Sequence, residues 1–227
     1  MTQLCSLKAF TNGIYFEKQD TNLHGKLEPK NGHTYQVWLR TDNPDISSLK
    51  TEERLIHQAL EEYQRRLPYK INVFTSLPYP LTIQDVDVFI DFIEPDQYMS
   101  GGVLAWGGYP NGSLRGKIAI NNKYPWLDGS NRTGAELRKI GLILPGMVDT
   151  QLYQTYNVKQ TIKHEFGHVL GLDHDDDEYS VMAAYYNVLN ILLSETSLRV
   201  LEVLYGLRSL PGRWLYYIKS VMKRKIS

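Results

Sequence analysis

Among 227 residues there is a single cysteine, Cys5, so no internal disulfide can staple the chain and no cysteine cluster can hold a metal. Any bound ion would have to use histidine and carboxylate ligands. An excess of one charge is also lacking. Lys and Arg number 25, Asp and Glu number 25, and the resulting net charge of zero offers no global field toward nucleic acid, membrane or a charged substrate. No nucleic-acid partner is expected. No apolar run approaches the roughly 20 residues of a membrane span. The opening Met1 to Lys8 has no basic stretch followed by an apolar core, so no export signal is visible and the compartment stays open. Repeats and low-complexity tracts are missing as well.

What remains is the make-up of a globular chain, with 42% hydrophobic and 22% charged residues and enough length for a sizeable core. Residues 1–32 are polar and punctuated by Gly and Asn, and read as an extension ahead of a body that starts near His33. Thr34 to Arg40 alternates with the two-residue period of a half-buried strand. Thr51 can cap a helix in which Leu55, Ile56, Ala59, Leu60 and Tyr63 recur at helical spacing up to Pro68. Strands are expected at Tyr69 to Phe74, Val86 to Phe92, Gly102 to Trp106 and Lys117 to Asn121. Residues 127–150 have no period and several glycines, and read as an irregular insertion. Helices follow at Val158 to Gly171 and at Glu195 to Tyr205, the last closed by Gly206. Strands and one helix first, two helices later, point to an α+β fold with a twisted mixed sheet, an active-site helix and a C-terminal helix.

The second of these helices reads His164-Glu165-Phe166-Gly167-His168-Val169-Leu170-Gly171-Leu172-Asp173-His174. Residues four apart share a helix face, so the imidazoles of His164 and His168 can converge on one tetrahedral ion. A continuing helix would carry residue 174 away from that ion, but Gly171 can take a left-handed conformation, end the helix and turn the chain back. His174 then becomes the third ligand. Three neutral histidines leave a fourth position for water, the pattern of a catalytic zinc site. Glu165, beside His164 and outside the ligand set, is placed to act as general base toward that water. The chemistry indicated is metal-assisted hydrolysis of a peptide bond without a covalent intermediate. Two blander readings stand beside it: a zinc-binding domain without turnover, against which the intact Glu165 argues, and a purely structural helix. His24, His33 and His57 have no partner nearby in the sequence and are read as ordinary polar residues.

On these residues the chain resembles the metzincin metallopeptidases, and within them most closely the matrixin, or matrix-metalloproteinase, family. The wording of the motif and Ser180-Val181-Met182 carry that resemblance. It implies a zinc-dependent endopeptidase acting on extended protein or peptide substrates, with Met182 as a hydrophobic floor beneath the zinc. It further implies that Gly102, Val103, Leu104 and Ala105 form an edge strand pairing with substrate, and that Tyr186 lines the pocket for the residue after the scissile bond. A usual proline between these positions is Ala184 here, and Asp175 directly after His174 is more typical of the adamalysin branch. The resemblance covers about residues 33–206.

Departures bear on the metals. Matrixins usually bind a second, structural zinc and calcium in the segment matching Leu104 to Trp126, which here holds Trp106, Ala119, Asn121 and Asn122 and no histidine. One catalytic zinc is therefore expected, without the ligands for a structural zinc or calcium. The family's latency cysteine is not recognisable around Cys5, and an N-terminal carboxylate such as Asp20 could stand in for it. Residues 207–227 read as a basic amphipathic extension, favouring a terminal helix packed on the domain over an interfacial membrane helix. Asn111 and Asn131 fit the glycosylation pattern, which is common by chance. A monomer is expected. The resembled family is typically secreted.

Overall fold

The structure, a computed structural model, describes residues 4–8, 24–40, 53–99, 102–124, 126–127, 156–187, 190 and 192–206, with 4–8, 53–55 and 127 through their backbone alone. Thr51, Asp20, Asn131, most of the insertion read at 127–150 and the C-terminal extension lie outside the described residues.

Strand β2 (Thr34–Leu39) buries Tyr35, Val37 and Leu39 completely and turns the residues between them outward, as its alternation predicts. Helix α1 (Glu53–Arg66) buries Ile56, Ala59, Leu60 and Tyr63 along one stripe and stops ahead of Pro68, whose ring cannot continue a helix. The chain then returns as β3 (Lys70–Phe74), parallel to β2, so α1 is the crossover that parallel pairing requires. Strands β4 (Val88–Ile93) and β6 (Lys117–Asn121) extend the parallel set. Between them in sequence, β5 (Val103–Gly108) runs antiparallel to β6.

A strand that the sequence did not announce completes the sheet. Residues Leu4–Lys8 form β1, antiparallel to β5, and the strand order is β1-β5-β6-β4-β2-β3. Leu-Cys-Ser-Leu-Lys has too short and mixed a pattern to be read alone; the unpaired edge of β5 confers its strand character. Residues 24–32, also read as extension, pack on the domain. Leu27 is a core residue, its carbonyl accepting from the Tyr35 hydroxyl at 2.5 Å and its N–H donating to the Tyr205 hydroxyl at 3.0 Å. A two-residue pair, β7 (Trp126–Leu127) and β8 (Tyr156–Asn157), leads into helix α2 (Val158–Val169), and α3 (Glu195–Tyr205) ends the described chain.

The main core lies between one sheet face and the helices, uniting Val88, Ile90, Phe92, Ile118 and Ile120 with Tyr63 of α1 and Phe166 of α2. Ala119 and Ile93 point to the opposite face, where Trp106, Met99 and Val103 join them in a second apolar cluster. The positions that the resemblance assigns to structural ions thus hold hydrocarbon. The two asparagines beside them serve protein groups: Asn121 donates to the Val103 carbonyl at 3.1 Å, and Asn122 to Glu94 at 2.9 Å. Among the described residues no helix is long and apolar enough to cross a membrane.

Trp106 is the bulk of that second cluster, and its buried indole N–H has no partner among the described residues. Trp106→Ala is expected to lower the unfolding free energy by about 3–5 kcal/mol, as for large core aromatics. Trp106→Phe, which keeps most of the volume and removes the orphan donor, is expected to cost less than about 1.5 kcal/mol. Urea unfolding of the two variants reads both.

Candidate metal centre

Helix α2 opens on Asn157, whose side chain accepts from the Gln160 N–H at 3.1 Å and so satisfies one of the free donors of the first turn. Every residue of it except Lys159 is buried, and His164, Glu165 and His168 have zero exposure. The helix ends where the motif demands. Gly171 has φ +96°, and a Cβ there would meet the Gly25 carbonyl oxygen at 2.4 Å, so both the left-handed turn and the close approach require glycine. Past it, the Leu172 N–H donates to the Gly167 carbonyl at 2.9 Å and the chain reverses toward His174.

The reversal brings three imidazoles together. One ring nitrogen from each of His164, His168 and His174 lies within 4.8 Å of the others. Carbonyl oxygens can only accept, so the contact from His164 Nδ1 to the Val181 carbonyl at 2.6 Å and from His168 Nδ1 to the Leu172 carbonyl at 2.8 Å place the ring protons on Nδ1. The Nε2 lone pairs of His164 and His168 are then left facing each other at 2.9 Å. Two lone pairs at that distance repel unless a cation lies beside both. Burial, and then the neighbouring histidine, hold His164 well below the ordinary imidazole range; burial, and then His174, push His168 down to about 3. Neutral imidazoles with lone pairs turned inward are the donor set a zinc ion requires, and the three residues fit it.

The turn at 180–183 braces this group of histidines. Its Val181 carbonyl fixes His164, and its Met182 carbonyl accepts from the Asp175 N–H at 2.8 Å, next to His174. Met182 is fully buried against Gly167, where a Cβ would lie 2.4 Å from its sulfur. Asp175, noted in the sequence only as a departure from the family's wording, is buried and structural. Its carboxylate accepts from the hydroxyls of Ser194 and, at 3.0 Å, Ser197, tying the third-histidine loop to the start of α3.

A second network was not legible in the sequence. His24, read as an ordinary polar residue, stacks on Tyr109 with ring centroids 3.8 Å apart and contacts Asp173 at 3.3 Å. Tyr109 donates to Asp173 at 3.0 Å and sets its ring edge-on to His168. Burial raises the Asp173 carboxyl, but hydrogen bonds from the His174 N–H, His24 and Tyr109 outweigh it and hold the group below the usual carboxylate range. No local pattern could have signalled a pair 149 residues apart.

The strand implicated in substrate pairing runs beside this centre at its Gly107 end. In β5, Gly107 faces α2, and a Cβ on it would stand 3.1 Å from Glu165 Oε2 and 3.2 Å from His168 Cβ, so the strand passes directly over the motif. Leu104 and Tyr186 share one apolar cluster, with Tyr124, Trp126 and Tyr156 packed on it.

The matrixin family model matches residues 28–206. The chain belongs to the matrixin family. Among curated proteins this matrixin is 25% identical over 186 residues to matrix metalloproteinase-16 of Mus musculus, and likewise to those of Rattus norvegicus and Homo sapiens, with 76% of the chain covered. It spans about a quarter (26%) of the length of those relatives. Membership places the chain in a family of peptidases.

The buried histidines give the metal-free matrixin a sign for its pH response. An unfolded imidazole takes up a proton near 6.5, whereas folded His168 does so only near 3. The unfolded chain therefore binds more protons between those values, and stability is full above about 6.5 and lost as the pH falls toward about 3. Thermal unfolding after chelation is expected to show a melting temperature that declines over that window. Replacing both His164 and His168 by Gln should flatten the decline.

Proposed function

We propose that the chain is a zinc-dependent endopeptidase that hydrolyses peptide bonds of extended polypeptides, with His164, His168 and His174 holding one zinc ion and Glu165 as general base. The observation that carries the proposal is the pair of inward-turned Nε2 lone pairs at 2.9 Å, each ring locked by a carbonyl on its other nitrogen. When bound, zinc polarises a substrate carbonyl and lowers the pKa of water toward neutrality.

The chain's own residues supply the rest. Glu165, adjacent to His164 and fully buried under β5, takes the proton of the attacking water and delivers it to the departing amine. Its burial excludes bulk water from that transfer, and the glycine at 107 leaves room for the carboxylate. Met182 underlies the ligands as a polarizable apolar floor and fixes their height through the turn carbonyls. Gly102, Val103, Leu104 and Ala105 offer the strand along which substrate backbone pairs, which suits any sequence because the hydrogen bonds are main-chain. Leu104 and Tyr186, packed together, form the wall met by the side chain after the scissile bond. The chain acts as a monomer with a single ion.

Cleavage of a mixed peptide pool by the zinc-loaded chain, read by mass spectrometry, is expected to yield internal cuts that drop by at least about 10³-fold in Glu165→Ala. That variant should still bind one zinc per chain, because Glu165 is outside the ligand set. A pool left intact by the unsubstituted chain would instead make this a zinc-binding domain without turnover.

A further inference from the structure

The geometry points to Asp173 as the positioning residue of the third histidine, with His24 and Tyr109 as the groups that keep Asp173 in place. The inference rests on the zinc-binding reading of His164, His168 and His174, and it names what holds the last of them in register.

His164 and His168 are fixed by a rigid helix and by carbonyls on their Nδ1 atoms, whereas His174 stands in a loop beyond the turn at Gly171. A loop residue presents its side chain in one place only when its backbone is tied on both sides. Downstream, the Asp175 N–H reaches the Met182 carbonyl at 2.8 Å. Upstream, the tie is the Asp173 side chain, whose Oδ1 accepts from the His174 N–H at 2.8 Å. That bond holds His174 only as firmly as the carboxylate itself is held. Oδ1 also accepts from the Tyr109 hydroxyl at 3.0 Å, and Oδ2 faces His24 Nε2 at 3.3 Å. An ionised carboxylate only accepts, so His24 carries its proton on Nε2, and both contacts are charge-assisted.

The two holders act together. The rings of His24 and Tyr109 stack with centroids 3.8 Å and planes 18° apart, so neither moves without the other. Tyr109 also stands edge-on to His168, with centroids 5.4 Å apart. One phenol thus touches the ring of the second ligand and the carboxylate that ties the third, which couples their positions. His24 is anchored through its neighbour. A Cβ on Gly25 would stand 3.7 Å from that of Pro110, directly after Tyr109, and the Gly25 carbonyl lies against Gly171 where the helix turns.

A simpler role for these three groups is to fasten the segment around Gly25 to the domain, which would affect stability alone. A positioning role also changes how tightly the metal is kept and how its ligands are arranged. The test therefore uses the full-length chain loaded with zinc or with cobalt(II). Zinc affinity is read by competition with a chromogenic chelator, and ligand geometry by the visible absorption of the cobalt form. Asp173→Ala is expected to lose roughly 10–100-fold in zinc affinity and to alter the cobalt spectrum. His24→Phe and Tyr109→Phe, which each keep a ring and lose one contact with the carboxylate, are expected to lose less, in the same direction. Asp173→Asn, which keeps an acceptor for the His174 N–H, should recover most of the loss. Trp106→Ala, on the opposite face of the sheet, controls for lowered stability and should leave both readouts unchanged. If Asp173→Ala does not fold, the two phenylalanine variants decide. Unchanged affinity and spectrum in every folded variant of the three residues, or an equal change in Trp106→Ala, would overturn the inference. An unsubstituted chain that binds no zinc sinks the zinc reading and the inference with it, a result seen before any substitution is made.

Discussion

Two neutral imidazoles held with their lone pairs converging inside a buried helix are the arrangement on which the rest of this molecule depends. Left alone, that arrangement is unfavourable: the polar nitrogens are removed from water and the lone pairs repel. It persists because every covalent and hydrogen-bonded neighbour constrains it. The helix sets the four-residue spacing, the Val181 and Leu172 carbonyls set the ring orientations, and burial keeps both rings unprotonated. The carbonyls do more than align the rings. By accepting from Nδ1 they raise the basicity of Nε2, which is the atom offered to the metal.

From that constraint the path of the chain follows. The third imidazole is reachable only if the helix ends just after His168, and the close approach of Gly171 to the Gly25 carbonyl shows what the ending is packed on. The segment around Gly25 and Leu27 is in turn held by Tyr205 of the last helix, whose hydroxyl accepts from the Leu27 N–H and donates to the Leu170 carbonyl at 2.8 Å. The segment around Leu27 and the last helix therefore meet where the histidine helix stops. Asp175 closes the other side by joining the loop after His174 to Ser194 and Ser197. The geometry of the three histidines is thus maintained by residues drawn from across the chain.

What the sequence disclosed was whatever is local. The spacing of His164 and His168, the glycine that must turn the chain, the alternation of β2 and the stripe on α1 all lie within windows of a dozen residues, where periodicity and backbone chemistry suffice. Met182 needed the family resemblance, because nothing about one methionine indicates that it will underlie a helix. His24, Tyr109 and Asp173 were beyond either kind of reading. Their association depends on how the N-terminal segment crosses the domain, and a single histidine among polar residues carries no trace of that. Strand β1 was missed for a related reason. Five residues with mixed polarity have no decisive propensity, and their conformation is imposed by a partner about a hundred residues away.

The same contrast explains the second apolar cluster. In a strand, alternate side chains meet opposite faces, so exchanging ion ligands for Trp106 and Ala119 alters one face of β5 and β6 while their neighbours Ala105, Ile118 and Ile120 still fill the main core. The register between Trp106 and Ala119 sets the largest side chain of the cluster directly opposite one of the smallest, which is how facing positions fill a space without strain. Ion ligation would hold this region through a few directional bonds that chelators can remove. Packing holds it through many weak contacts that they cannot. The scaffold that sets β5 against the histidine helix thus stands on hydrocarbon from both faces of the sheet.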